Sequence, residues 1–415
     1  MVLCCILRIS RALILLPFLL GACISEGGER RDDSFKALFV SHRWFDLREL
    51  MQPVSDDLFY EGAIASAFNN PEQAQTDLKQ VIESSADLKQ AYQAHQLLRY
   101  LFLREGRHGR VLREIKELLA AKPNDPDAQN DRALFEVLSQ YPDQEVVEVH
   151  SFHTQTPDGK LSVPLLVNGV PARYALDTGA NLSVICESEA RRLHLVVHDV
   201  AGKLYDSTGS ASGFRIAVAE HLTIGTSRFR NVAFLVVRDD QQPFLDLPIR
   251  ERGLIGLPIL IALKTMRWTK KETLELGFSS SQRRMQQPNL CFDEAALITK
   301  LTVEGQRFDV VLDTGAEKTE FWPQFSMKFT KLLPQGRKAA TRETGVTQSV
   351  EYDAMVLPRL SIHLGGAQVD LHQTRVLLNR TDGWTQWYGG NLGLDAFHEV
   401  HSVTLDFASM TLTLE

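Results

Sequence analysis

The sequence is poor in cysteine, in excess positive charge and in long apolar stretches, and each shortage excludes a class of protein. Five cysteines in 415 residues cannot form the dense disulfide framework of a small secreted scaffold. Lys and Arg number 45 against 52 Asp and Glu, a net charge of −7, so no basic face is available to a phosphate backbone and nucleic acid is not an expected partner. The apolar run from Ala12 to Leu20 falls well short of the roughly 20 residues that cross a bilayer. Metal and nucleotide chemistry also lack their signatures. His398-Glu399-Val400-His401 does not have the H-E-x-x-H spacing, and Gly209 to Gly213 is not followed by the Lys-Ser or Lys-Thr of a phosphate loop. His194 and His198 lie four apart with no evident third ligand, so no metal and no cofactor are expected.

What is present begins at the N-terminus. Arg8 and Arg11 precede the run Ala12 to Leu20, an arrangement that suits the apolar region of a signal peptide. The run ends in Leu20-Gly21-Ala22-Cys23, which resembles the lipobox of bacterial lipoproteins. That resemblance implies a signal peptide over residues 1–22, acylation of Cys23, and a periplasm-facing chain held to a membrane by lipid; ordinary cleavage or an uncleaved anchor are the alternatives. Loss of Cys4 and Cys5 with the signal would leave Cys186 and Cys291, either two separate buried thiols or, in an oxidising compartment, a pair.

Residues 23–34 are charged and glycine-containing and read as a tether. From 35 to 142 the apolar spacing is helical. Asn70 before Pro71 and Asp125 before Pro126 are caps followed by proline at the first helical position. Helices starting near Ser55 and Pro71 form one hairpin and those near Asp87 and His108 a second, with loop residues Asn70 and Gly106 36 positions apart. This resembles a pair of tetratricopeptide-type repeats flanked by further helices, an α-helical domain that serves as a docking groove for a protein partner or as a brace for the rest of the chain. Beyond Tyr141 the chain changes to short β-branched and apolar runs divided by Gly, Asn and Asp, the pattern of strands and turns. A polar stretch at 279–289 reads as a linker between two all-β regions of similar length, 146–278 and 290–415.

Those two regions are copies. LLVNGVPARYALDTGA and LTVEGQRFDVVLDTGA align at a constant offset of 136, from Gly169 and Gly305 through Asp177 and Asp313. Each reads as a strand, a turn at Asn168-Gly169 or Glu304-Gly305, and a strand running into the motif. Thr208-Gly209 and Thr344-Gly345 keep the same offset, Gly256 and Gly393 are 137 apart, and the closing TLEL at 273 and TLTL at 411 are 138 apart. One ancestral unit has been doubled.

A strand ending in hydrophobic-Asp-Thr-Gly-Ala, a glycine-containing hairpin about thirty residues on, and a hydrophobic-hydrophobic-Gly strand about eighty residues on is similar to the retropepsin-like aspartic protease unit. Retroviral enzymes pair two such units as a homodimer, and pepsins fuse two lobes in one chain. The resemblance implies a multidomain α plus β protein whose two all-β lobes are related by pseudo-two-fold symmetry, acting as a monomer because both lobes are present. It makes Asp177 and Asp313 the catalytic dyad, with Thr178 and Thr314 bracing the two loops and Gly179 and Gly315 offering amide donors at close range. Leu254-Ile255-Gly256 and Asn391-Leu392-Gly393 would pass beneath those loops, although Asn391 departs from the apolar pattern. The stretch 204–214 resembles a flap over bound peptide, with Tyr205, Thr208 and Gly209 as substrate-side residues and Thr344 and Gly345 as their counterparts.

The chemistry explains the duplication. Hydrolysing an amide without a metal or a covalent nucleophile needs one group to deprotonate water and another to protonate the carbonyl oxygen. Two carboxyls about 3 Å apart repel by roughly 5 kcal/mol when both are charged, so they share one proton over a broad pH range. The expected activity is therefore an aspartic endopeptidase acting on extended polypeptide, with a non-catalytic peptide-binding lipoprotein as the alternative. Ala180 and Ala316 follow the motif where pepsins carry a hydroxyl. Loss of that hydrogen bond favours a mildly acidic to neutral optimum.

Overall fold

The computed structural model describes residues 27–51, 57–157, 160–205, 211–242, 244–279, 287–344, 349–381 and 383–415. The signal peptide, Cys23, Thr208, Gly209, Gly345 and most of the expected linker lie outside the described residues.

Among the described residues seven helices come first: α1 (Gly27–Val40), α2 (Trp44–Leu50), α3 (Leu58–Ala67), α4 (Pro71–Ser84), α5 (Leu88–Arg104), α6 (His108–Ala121) and α7 (Pro126–Leu138). Three start as their caps dictate. Asp57 accepts from Phe59 N and Tyr60 N, Asp87 from Lys89 N, and Asp125 from Asp127 N and Ala128 N, each carboxylate satisfying amides that the first turn leaves unpaired. Asn70 holds the cap position of α4, but its amide bonds Gln73 Oε1 and not the backbone. Successive helices pack on one another, α3 on α4 and α5 on α6. The stretch expected as a tether is helical from Gly27 on, because α1 extends backward from the apolar anchors Phe35, Leu38 and Phe39 through residues that tolerate a helix.

The first β region contains β1 (Glu145–Glu148), β2 (Phe152–Gln155), β3 (Ser162–Val167), β4 (Val170–Leu176), β5 (Ser183–Cys186), α8 (Glu187–Arg192), β6 (Val197–Asp199), β7 (Leu204–Tyr205), β8 (Ala211–Ser212), β9 (Arg215–Ile224), β10 (Ser227–Val237), β11 (Gly253–Ile255), α9 (Leu257–Leu263), β12 (Thr265–Thr269) and β13 (Thr273–Leu276). The second contains β14 (Leu290–Asp293), β15 (Ala296–Val303), β16 (Gln306–Leu312), β17 (Glu320–Phe321), α10 (Pro323–Lys328), β18 (Arg337–Thr344), β19 (Ser349–Leu364), β20 (Ala367–Leu377), β21 (Gly390–Leu392), β22 (Ser402–Asp406) and β23 (Thr411–Leu414). Each region forms an eight-stranded sheet, in the order β1-β10-β5-β11-β4-β3-β9-β6 and β14-β15-β16-β21-β17-β20-β19-β18. The expected linker ends one residue early, since Asn289 is part of the second region: it exchanges bonds with Leu412, Nδ2 to O at 2.8 Å and Leu412 N to Oδ1 at 2.7 Å.

The hairpins that lead to the repeated motif turn as their residues require. Asn168 and Gly169 have φ of 47° and 80°, Glu304 and Gly305 of 47° and 77°, the left-handed pair that a two-residue turn between twisted strands needs. A third sheet, β2-β13-β12-β22-β23, takes strands from both regions. Its seam is β12 against β22, from Thr265 opposite Asp406 to Thr269 opposite Ser402, so backbone hydrogen bonds join the two halves directly.

The helices grip the second region at the β14–β15 turn. His42 Nδ1 lies 2.6 Å from Asp293 Oδ2, which also accepts from the Tyr388 hydroxyl at 2.7 Å. Trp387 stacks on the His42 ring at 4.3 Å between centroids, and buried Arg104 donates to Glu294 O and, at 2.8 Å, to Ser66 O. The aromatics of the 384–390 loop thus serve this joint. Burial raises the Asp293 carboxyl, but the charge and hydrogen bond of His42 and the Tyr388 hydroxyl outweigh it and hold the group below the usual range. A depressed carboxylate contributes stability that is present above the unfolded value near pH 4 and is lost as pH falls through the folded one. Asp293→Ala is expected to cost about 3–5 kcal/mol, because His42 and the Tyr388 hydroxyl lose a buried partner. Amide exchange in α2 and β14 should accelerate at pH 7 and much less in acid; equal acceleration at both would contradict this account.

Candidate active site

The two copies of the motif end adjacent strands in the same way. Beyond β4, Asp177 N donates to Ile255 O at 3.0 Å; beyond β16, Asp313 N donates to Leu392 O at 3.0 Å. β11 runs parallel to β4 with Ile255 opposite Leu176, and β21 runs parallel to β16 with Leu392 opposite Leu312. Below each loop, Gly256 N donates to Ser183 Oγ at 3.2 Å and Gly393 N to Thr319 Oγ1 at 3.1 Å. A side chain at either glycine would meet the carbonyl of the motif loop, Ala180 O at 2.7 Å or Ala316 O at 2.8 Å.

The threonines then cross between the halves. Thr178 N donates to Thr314 Oγ1 and Thr314 N to Thr178 Oγ1, both at 3.0 Å. Thr178 Oγ1 donates to Leu312 O and Thr314 Oγ1 to Leu176 O, both at 2.8 Å. All four bonds are buried, so each hydroxyl both accepts and donates in a site that water does not reach. This bracing brings the acids together. A Cβ on Gly179 would sit 2.6 Å from Asp313 Oδ1, and one on Gly315 2.5 Å from Asp177 Cγ. Each carboxyl lies against the opposite loop at a distance that glycine alone permits.

Asp177 is 1% exposed and Asp313 0%, an arrangement that two unshared negative charges would make untenable. Gly179 N donates to Asp177 Oδ1 at 2.8 Å and Gly315 N to Asp313 Oδ1 at 2.9 Å. Burial raises the Asp177 carboxyl well above the usual range; the Asp313 charge and a hydrogen bond between the two carboxyls act in the same direction, and the amides of Gly179 and Gly315 oppose them. Two buried carboxyls held this close do not both ionise, so one proton stays with the pair. The pair can therefore present an acid and a base at one point.

The halves differ in the donors that reach the acids. Asn391 Nδ2 donates to Asp313 Oδ2 at 3.0 Å, whereas among the described residues no donor reaches Asp177 Oδ2, and the position matching Asn391 is Leu254. In the sequence Asn391 stood out only as an interruption of an apolar pattern, which was the available signal.

The hairpins expected as flaps differ as well. In the first half, Leu204 and Tyr205 pair with Ser212 and Ala211 in a two-stranded ladder of their own. In the second, β18 and β19 pair continuously from Arg337 opposite Val356 to Thr344 opposite Ser349. The helical region holds the base of the shorter hairpin: Asn130 Oδ1 accepts from Lys203 N at 2.8 Å and Asn130 Nδ2 donates to Lys203 O at 3.0 Å, while the Tyr141 hydroxyl contacts His198 Nε2. Asn130→Ala removes both bonds at about 1 kcal/mol each. Amide exchange at Lys203 is expected to rise about tenfold or more, and an unchanged rate would show that the base is held by other contacts.

Cys186 and Cys291 are both buried and unbonded to each other. Among the described residues there is no group of three or more side chains suited to a metal ion.

Residues 163–259 match the model of a family described as aspartyl protease, a span that includes Asp177, Thr178, Gly179 and β11. Among solved structures the chain is similar to a retropepsin-like aspartic protease from Rickettsia conorii, at 24% identity over 31% of this chain and 91% of that one, with a TM-score of 0.24. No curated protein matches. The family match lies wholly within the first β region, and the second resembles it through the bonds that it repeats.

Proposed function

We propose that the chain is an aspartic endopeptidase in which two retropepsin-like lobes, related by a pseudo-two-fold axis, contribute one aspartate each. The observation that carries this reading is the buried contact of each carboxyl with the opposite glycine loop. A binding module gains nothing from placing two acids that repel one another in its core. The reaction follows from the pair. The ionised carboxyl takes a proton from water as the water oxygen bonds to the scissile carbonyl carbon, and the protonated carboxyl gives its proton to the carbonyl oxygen. In the resulting diol the first carboxyl passes its proton to the amide nitrogen, a diol hydroxyl returns one to the second, and the C–N bond breaks. No cofactor enters.

Substrate is an extended polypeptide lying between the flap hairpins of residues 204–212 and 337–356, held by main-chain hydrogen bonds as an added strand is. Tyr205, Thr208, Gly209, Thr344 and Gly345 are the substrate-side residues in this reading. The helical region, a tetratricopeptide-like unit, acts as a brace. Its contacts with the β14–β15 turn and with Lys203 support that role over a free docking groove. A lipid on Cys23 would hold the enzyme as a monomer on a membrane facing the periplasm.

The test is incubation of the full chain with a diverse peptide mixture, analysed by mass spectrometry, beside Asp177→Asn and Asp313→Asn. Cleavage by the wild type alone is the expected result. Cleavage that survives in either variant removes the dyad, and binding without cleavage by all three favours a non-catalytic peptide-binding lipoprotein.

A further inference from the structure

Resting on the protease reading, we infer that Asn391 is a positioning residue that breaks the equivalence of the two acids: its amide holds Asp313 as the ionised member and leaves the proton on Asp177. In an aspartate pair built from equal halves the proton has no preferred home. Here the halves are unequal beneath the acids, and one difference reaches a carboxyl directly. Asn391 Nδ2 donates to Asp313 Oδ2 at 3.0 Å in a buried site, and an N–H donor favours the charged form of the carboxyl that receives it. Leu254 occupies the matching position of the first half, 2% exposed, and has nothing to donate. Among the described residues Asp177 Oδ2 is correspondingly without a donor. A carboxyl keeps its hydrogen most readily on an oxygen that receives no N–H donor.

Two further observations mark Asn391 as placed for this contact and not for packing. Its own Oδ1 is buried without a partner among the described residues, a cost that leucine would avoid. It also stands opposite Glu320 in the β17–β21 ladder, where the first half has Val184 opposite Leu254. Glu320 is balanced by Arg380, 3.5 Å away and 3% exposed. Beside Asp177 at the end of β4 and Asp313 at the end of β16, the ladder places Glu320 on β17, with its counter-ion Arg380, opposite Asn391. β11 contributes Gly253, Leu254 and Ile255, none of which titrates. The polar side of the dyad is the Asp313 side.

The consequence is a division of labour. Asp313 is the base that receives the proton of water as the new C–O bond forms, and Asp177 is the acid that protonates the carbonyl oxygen. Asn391 further restores, on one acid, the hydrogen bond lost with alanine at positions 180 and 316.

The test reads protonation directly and does not depend on cleavage. In the full chain labelled with 13C at aspartate carboxyls, the Asp177 and Asp313 signals, assigned with the two asparagine variants, are titrated in wild type, Asn391→Leu and Asn391→Ala. In the wild type the lower titration step is expected on the Asp313 signal. Both variants should raise that step by about half to one pH unit, the worth of one neutral hydrogen bond, and the acid limb of kcat/KM should move up with it. The thermal midpoint of Asn391→Leu should hold or rise, which separates an electrostatic role from a structural one. A lower step on Asp177, an unmoved step or a fall in both variants overturns the assignment while leaving the dyad intact. Two carboxyls that titrate independently in the wild type would instead overturn the protease reading.

Discussion

Asp177→Asn is expected to abolish peptide cleavage, by at least about a thousandfold, while making the protein more stable at neutral pH. The two effects share a cause. The wild-type pair must hold a proton that an isolated aspartate would have released, because burial and the Asp313 charge raise the Asp177 carboxyl well above its usual range. A group whose folded value is raised contributes stability that is fully present below the unfolded value, near pH 4, and is lost as pH climbs through the folded one. Within that window each pH unit costs about 1.4 kcal/mol. Asparagine has the same shape, keeps an N–H to offer Asp313, and does not titrate. The stability gain of the variant should therefore grow from near zero at pH 4 to a rise of several degrees in the thermal midpoint at pH 7. Melting curves across that range check the sign. A gain that is the same at both ends, or a variant less stable than the wild type at pH 7, would mean that the acids do not share a buried proton.

Thr178→Val should act in the opposite direction on stability and reach activity indirectly. Valine fills the same space, yet the change removes both bonds of the hydroxyl and leaves Thr314 N–H and Leu312 C=O buried without partners. At about 1–3 kcal/mol for each orphaned group the loss is about 2–6 kcal/mol. The carboxyls remain, but the loop that carries Asp313 loses its tie to the other half. A displacement of about 1 Å between reacting groups is enough to lower turnover about a hundredfold. The fall should appear in kcat with KM little altered, because the hydroxyl touches the loops and not the peptide. Denaturation monitored alongside steady-state kinetics would expose the alternative: full activity in a merely less stable protein would make the crossed threonines a structural device without bearing on the dyad.

Much of this arrangement is legible in the sequence, for local reasons. A two-residue turn needs left-handed backbone, so Asn168-Gly169 and Glu304-Gly305 announce their hairpins, and the hairpins aim both strands at the repeated motif. Asp87 and Asp125 cap the helices that start after them because a short carboxylate reaches amides just ahead in the chain, whereas the start read near Ser55 falls at Asp57. The expected tether fails for the same kind of reason. Charged residues and two glycines look like a linker when taken alone, and only the apolar residues beyond them turn them into the start of α1.

The repetition of one motif at a fixed offset determined that two acids would occupy equivalent places in two equivalent units, since identical local sequence folds into identical strand, turn and loop. Spacing alone did not say what those acids face; the resemblance implied it, and tertiary structure decided it. The crossed threonine bonds, the glycines pressed against opposite carboxyls and the amide of Asn391 beneath Asp313 all join residues more than seventy positions apart, and contacts at that separation are set by packing, on which spacing along the chain carries no information.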